Sequence, residues 1–280
     1  MKNNASRKYI LYMKVLLIML MICSLPVVAS ADAGRKVVNV STVDEFINAV
    51  GDNTEIILQP GFYDLTPCKN MVVSNDGQSG PVPGLFSVLN GILNINGIDN
   101  LCIKGKEGTE NTHIVTSDPD ACVLKFASCK NIEIQGVTMG HIVEPGHCSA
   151  AVIGLLSVDN IKLKDLDLYG CGTYGVDGTK ITKLRADKCR IHHCTRGAIA
   201  FAQSKDISFA DCEFSSCHNK SWVLIDAKDS NIYFKKCAFI NNSSNLWPLT
   251  DEKKPLVFEE CRFGYVEQEF FDKNSHLLKK

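Results

Sequence analysis

The chain has 280 residues, with 30 Lys and Arg against 31 Asp and Glu, 13 Cys and seven His. A balance this close to neutral lacks the basic excess that nucleic acid binding draws on. Beyond the N-terminal segment no apolar run is long enough to span a bilayer.

Residues 1–31 read as a secretory signal peptide. Lys2, Arg7, Lys8 and Lys14 precede the apolar run Val15 to Leu25, and Ala29-Ser30-Ala31 supplies a small-x-small cleavage site. A membrane anchor is the competing reading, but Pro26 and the small residues follow early. The bulky Ile22 before Cys23 argues against lipoprotein processing. Cleavage removes four basic and no acidic residues, leaving 26 basic against 31 acidic and a formal charge of −5. The remainder is long enough for one elongated domain.

Residues 32–66 form an N-terminal cap. Val37 to Val40 reads as a strand, Thr42-Val43-Asp44-Glu45 has capping-box spacing, and Phe46 to Val50 continues a short helix. Such a helix closes the open end of a stacked structure and hides strand edges that otherwise recruit other chains.

Residues 67–263 carry an internal repeat. Leu101, Ile132, Ile161, Leu184, Ile207, Ile232 and Leu256 lead copies of one short pattern, at steps of 23 to 31 residues. Two places later stand Ile103, Ile134, Leu163, Ala186, Phe209, Phe234 and Phe258, the period-2 alternation of a strand. Met139, Leu168, Ile191, Phe214, Phe239 and Phe263 follow at odd offsets, so a bend separates two short strands. Eight places before the leaders, Leu93, Leu124, Ile153, Val176, Ile199 and Leu224 mark a third strand. Three strands per coil without an intervening helix describe an all-β parallel β-helix solenoid. Residues 264–280 are a C-terminal cap or tail.

Asn100, Asn131, Asn160 and Asn231, with Asp206 substituting, precede the leaders. Asn there tolerates a left-handed backbone and bonds its neighbours. From Val37 to Phe263 the chain resembles the right-handed parallel β-helix superfamily, which includes pectate lyases, polygalacturonases and bacterial repeat proteins. The resemblance implies a single-stranded right-handed β-helix with a short capping helix. It departs from the enzyme motifs: of the polygalacturonase pattern only Gly140-His141 has a counterpart, and Trp222 to Asp226 loosely resembles one pectate lyase strand without its histidine.

Cys189, Cys212, Cys237 and Cys261 share one column, and Cys171, Cys194 and Cys217 another. Parallel side chains on strands ~4.8 Å apart suit a ladder of small core residues better than disulfides. Single-file cysteines do not form a metal tetrahedron either, and no cofactor or metal is expected.

Chemistry belongs on the outward face, where the stretch Gly140 to Cys148 interrupts the repeat. His141, Glu144, His147, Asp177, His193 and Arg196 are the candidate catalytic residues, with Lys125 and Tyr174 as ligand contacts. His141 and His193 share one offset two coils apart, as do Glu144 and Arg196. Each also reads as an ordinary turn or surface residue. Tyr174, Trp222 and Trp247 are candidate exposed aromatics. Two functions follow: a secreted or periplasmic monomer that binds polysaccharide or cell-envelope glycan on its outer face, or a carbohydrate-active lyase or hydrolase. Convergence of the candidate side chains in one groove discriminates between them.

Overall fold

A computed structural model describes residues 34–75, 79–81, 91–144, 146–170, 173–217, 223–242, 256–264 and 278–279. The signal segment 1–31, Trp222 and Trp247 lie outside these residues, as does most of 264–280. Within the described part, Leu278–Lys279 adds a parallel rung to Phe258 and Glu259.

Successive coils contribute strands to three sheets that pair in parallel throughout the described coils, save Ser79–Pro81, which pairs antiparallel with Met71–Ser74. In chain order, a coil such as Cys122–Ala127, Lys130–Gln135 and Thr138–His141 feeds a first, second and third sheet of eight, ten and eight described strands. The leaders pair in unbroken register, Leu101 with Ile132, Ile132 with Ile161, Ile161 with Leu184, and onward through Ile207 and Ile232 to Leu256. All are buried. Because side chains alternate across a strand, this one register sends every second residue inward in all coils.

The core is therefore made of stacks. Phe234 lies face to face between Phe209 and Phe258, with ring centroids 5.5 and 4.9 Å away. Phe239 lies likewise between Phe214 and Phe263, at 4.9 and 5.2 Å. The two stacks meet edge to face, Phe214 on Phe234 at 5.7 Å, a geometry the aromatic quadrupole favours.

Corners are turned by single left-handed residues. Ser128, Gln203 and Asp229 precede the second sheet with φ of 54°, 53° and 49°, and Lys188, Asp211, Lys236 and Glu260 precede the third with φ of 51–54°. The next residue is Cys or Ser in each case, and its thiol or hydroxyl donates to the carbonyl two residues back. Examples are Ser204 to Ala202 at 2.9 Å, Ser230 to Lys228 at 2.9 Å, and Cys212 to Ala210 at 3.2 Å. The cysteine column thus has a structural cause: a small side chain fills the corner and satisfies a carbonyl. Cys189, Cys212 and Cys237 are buried reduced thiols.

The asparagine ladder is present at Asn100, Asn131 and Asn160, with φ of 52–58°, and Asn160 donates to Asn131 at 2.7 Å. Asp206 continues it with φ of 57°. Asn231 does not adopt this conformation. Its coil is one residue shorter before the leader, so Ile225 and not Leu224 pairs with Ile199.

At the N-terminal end, Thr42 caps the helix Val43–Ala49 in a complete capping box with Glu45. Phe46 is fully buried and meets Tyr63 edge on at 6.3 Å. Burying one such ring stabilises the fold by about 1.5–3 kcal/mol. Among the described residues no helix is long and apolar enough to cross a membrane.

Candidate functional site

The outward column of the first sheet runs Asn94, Lys125, Gly154, Asp177, Ala200, Asp226, one residue per coil. The loops that enter this sheet fold over its outer side. Cys122, Ala150, Ala151, Tyr174 and Ala200 form a small apolar cluster there, separate from the main core. Gly154 and Ala200, the small residues of the column, are buried, Gly154 beneath the Lys125 stem and Ala200 within this cluster, and charged side chains flank them.

Gly154 is required by a close approach. A Cβ there would lie 2.7 Å from Cδ of Lys125 and 2.8 Å from Sγ of Cys122. The Lys125 stem therefore crosses Gly154 toward Asp177, whose carboxylate feels the lysine charge. On the other side of Asp177, Ala200 separates it from Asp226. Two strand spacings set their Cα atoms roughly 9–10 Å apart. Among the described residues neither acid has a hydrogen-bond or ion-pair partner. Neighbouring protein atoms partly desolvate both and raise their pKa, although the Asp177 side chain stays exposed while Asp226 is half-buried; at Asp177 Lys125 opposes this rise and Asp226 adds to it.

Tyr174 is 6% exposed, so it does not offer a ring face to solvent as the sequence suggests. Its ring packs where a Cβ at Gly197 would stand, 2.9 Å from Cε1. Burial, then the charges of Asp226 and Asp177, push its phenol up to about 12, and Arg196 opposes them. Lys125, Tyr174, Asp177 and Arg196 thus share one electrostatic neighbourhood with Asp226.

The remaining candidates are elsewhere. His141, expected on the outward face, is 2% exposed. It is the last residue of an extended strand and turns its ring inward. Its Nε2–H donates to Ala121 O at 2.9 Å, Nδ1 has no partner among the described residues, and burial lowers its pKa. His193 has the same offset but sits at a left-handed corner, φ 56°, and is exposed. The shared offset therefore brings no shared environment. His193 joins a chain on the third sheet, its Nδ1 2.6 Å from Nδ1 of His192, whose Nε2 is 2.9 Å from Asp167. Glu144 and His147 approach only to 3.8 Å on an exposed loop, a pairing worth little at a surface. The six candidates do not form one catalytic cluster. Asp226 belongs in the group; its signal in the sequence is the outward position it shares with Asp177 two coils earlier.

The model of the right handed beta helix region matches residues 121–267. No curated protein sequence matches the chain. An alginate lyase from Paenibacillus sp. str. FPU-7 superposes with a TM-score of 0.55 at 8% identity, over 82% of this chain and 97% of that one. A pectin methylesterase from Erwinia chrysanthemi gives a TM-score of 0.49 at 12% identity, over 87% and 96%. The likeness to the alginate lyase is one of fold, in accord with three sheets wound in coils. The family match over more than half the chain adds the assignment: the protein belongs to the right-handed β-helix family.

Proposed function

We propose that the chain is exported and binds an extended polysaccharide or cell-envelope glycan along the outward column of the first sheet, as a monomer. The observation that carries this reading is the line Lys125, Gly154, Asp177, Ala200, Asp226, in which polar side chains flank small ones at a constant rise. A repeating ligand suits a repeating surface, and solenoids commonly use an extended face of this kind. Carboxylates without protein partners are acceptors for sugar hydroxyls, and Lys125 and Arg196 supply donors. The segment 1–31 supports export, and the likeness to an alginate lyase supports a polysaccharide as the ligand class.

A second reading is hydrolysis. It is favoured by the paired Asp177 and Asp226, both with raised pKa, whose Cα separation is near the roughly 6.5–9.5 Å between the carboxyls of inverting glycoside hydrolases. The test is a panel of acidic and neutral polysaccharides scored for retention and for new reducing or unsaturated ends. Retention without new ends supports binding; new reducing ends without unsaturated ones, lost in Asp177→Asn, support hydrolysis, and unsaturated ends overturn it in favour of elimination. Neither retention nor products across the panel would refute both readings.

A further inference from the structure

The second sheet carries a different feature. Its outward columns run Arg185, Ser208, Tyr233 and Asp187, Ala210, Lys235 over three consecutive coils. Two small residues side by side on the middle coil leave a cavity of about 410 Å³ between the larger ones, within the range of small-ligand sites. Two strand spacings, roughly 9–10 Å, separate the walls, which leaves space for one ring once side-chain thickness is subtracted.

Both walls are held in place. Nη1 of Arg185 donates to the carbonyls of Asp206 at 2.7 Å and Leu184 at 3.1 Å. Its Nε–H and Nη2 hydrogens have no carboxylate partner among the described residues. Across the gap, the hydroxyl of Tyr233 donates to Glu259, which also pairs with Lys235 at 2.7 Å. Asp206 and Asn231 line the rim. Asp206 has a left-handed backbone, φ 57°, and Asn231 does not.

We propose that this cavity is a second saccharide site, on a face distinct from the first-sheet column, and that it takes a single uronic acid residue. The guanidinium of Arg185 receives the sugar carboxylate, since a fixed fork matches a planar anion. Tyr233 supplies an apolar face to the ring, and Asp206 and Asn231 accept and donate to ring hydroxyls.

Calorimetric titration of the full chain with a galacturonate or mannuronate trisaccharide tests this, with a neutral glucose trisaccharide and inorganic phosphate as controls. Uronate binding is expected to weaken about tenfold or more in Arg185→Gln, the loss of one charge-assisted contact, and to disappear in Ala210→Trp, which fills the cavity. Should Ala210→Trp not fold, Tyr233→Ala replaces it, with at least a tenfold loss expected. Glucose oligomer or phosphate binding as tightly as uronate overturns the ligand class. Absence of uronate binding, unchanged binding in these variants, or loss in Asp177→Asn with retention in Arg185→Gln overturns the site. The last outcome leaves the first-sheet reading standing, so the two proposals fail separately.

Discussion

Asp177 and Asp226 occupy one outward column of the first sheet, two coils apart, with Ala200 of the Tyr174 cluster between them. Strand geometry fixes their separation and orientation, so the pair is as rigid as the core beneath it.

The raised pKa of each acid gives a stability dependence with a definite sign. A carboxyl whose folded pKa lies above its unfolded value binds protons more readily when folded, so stability is present below the unfolded value and is lost as pH rises through the folded one. The half-buried Asp226 carries the larger effect, and Asp226→Asn is therefore expected to raise the melting temperature at pH 7 by about 1–3 °C and to have a smaller effect at pH 4. Thermal scans at both pH values check it; destabilisation at pH 7 would contradict the desolvated placement.

His141 has the opposite dependence. Its pKa is lowered by burial, so the neutral ring is the folded form and stability is lost as pH falls below about 6.5, the unfolded value. Replacing it with Ala is expected to cost about 2–4 kcal/mol, through a cavity and an unmet carbonyl of Ala121. Denaturant titrations across pH 5–8 measure both, and a variant as stable as the parent would place His141 outside the core.

Phe234→Ala removes the middle of one stack and the edge contact to the other, at an expected cost of about 3–5 kcal/mol. A chemical denaturation midpoint close to that of the parent would contradict the register.

The corner cysteines are expected to label slowly. Hydrogen bonding to the Cys212 thiol and burial push Cys237 up to about 12, leaving almost no thiolate at pH 8. Mass spectrometry after brief alkylation is expected to show Cys189, Cys212 and Cys237 modified only in denaturant. Rapid labelling of the native chain, or peptides joining Cys189 to Cys212, would contradict the ladder.

The coil register was legible in the sequence because period-2 alternation and a constant offset are imposed by the sheets themselves. Leu101, Ile132 and Phe234 fall where the repeat places them. The offset failed at Leu224, where the missing bulge at Asn231 shifts the strand by one residue. It failed again at His141 because offset does not fix orientation at a strand end: an extended His141 points inward, while a left-handed His193 points out. Tyr174 was misread because its burial comes from a loop folded over the sheet and from the space at Gly197, neither of which has a period. Lys125, Asp177 and Asp226 were readable as outward residues; that they form one neighbourhood depends on Gly154 and Ala200 being small.

The glycan column is tested most directly by Asp177→Trp, which places a large side chain at the exposed centre of the outward column, between Gly154 and Ala200. The affinity of this variant for a polysaccharide that the parent retains is the measurement. The expected result is a loss of at least tenfold with an unchanged melting temperature. Retention equal to the parent, with the fold intact, would show that the ligand lies elsewhere.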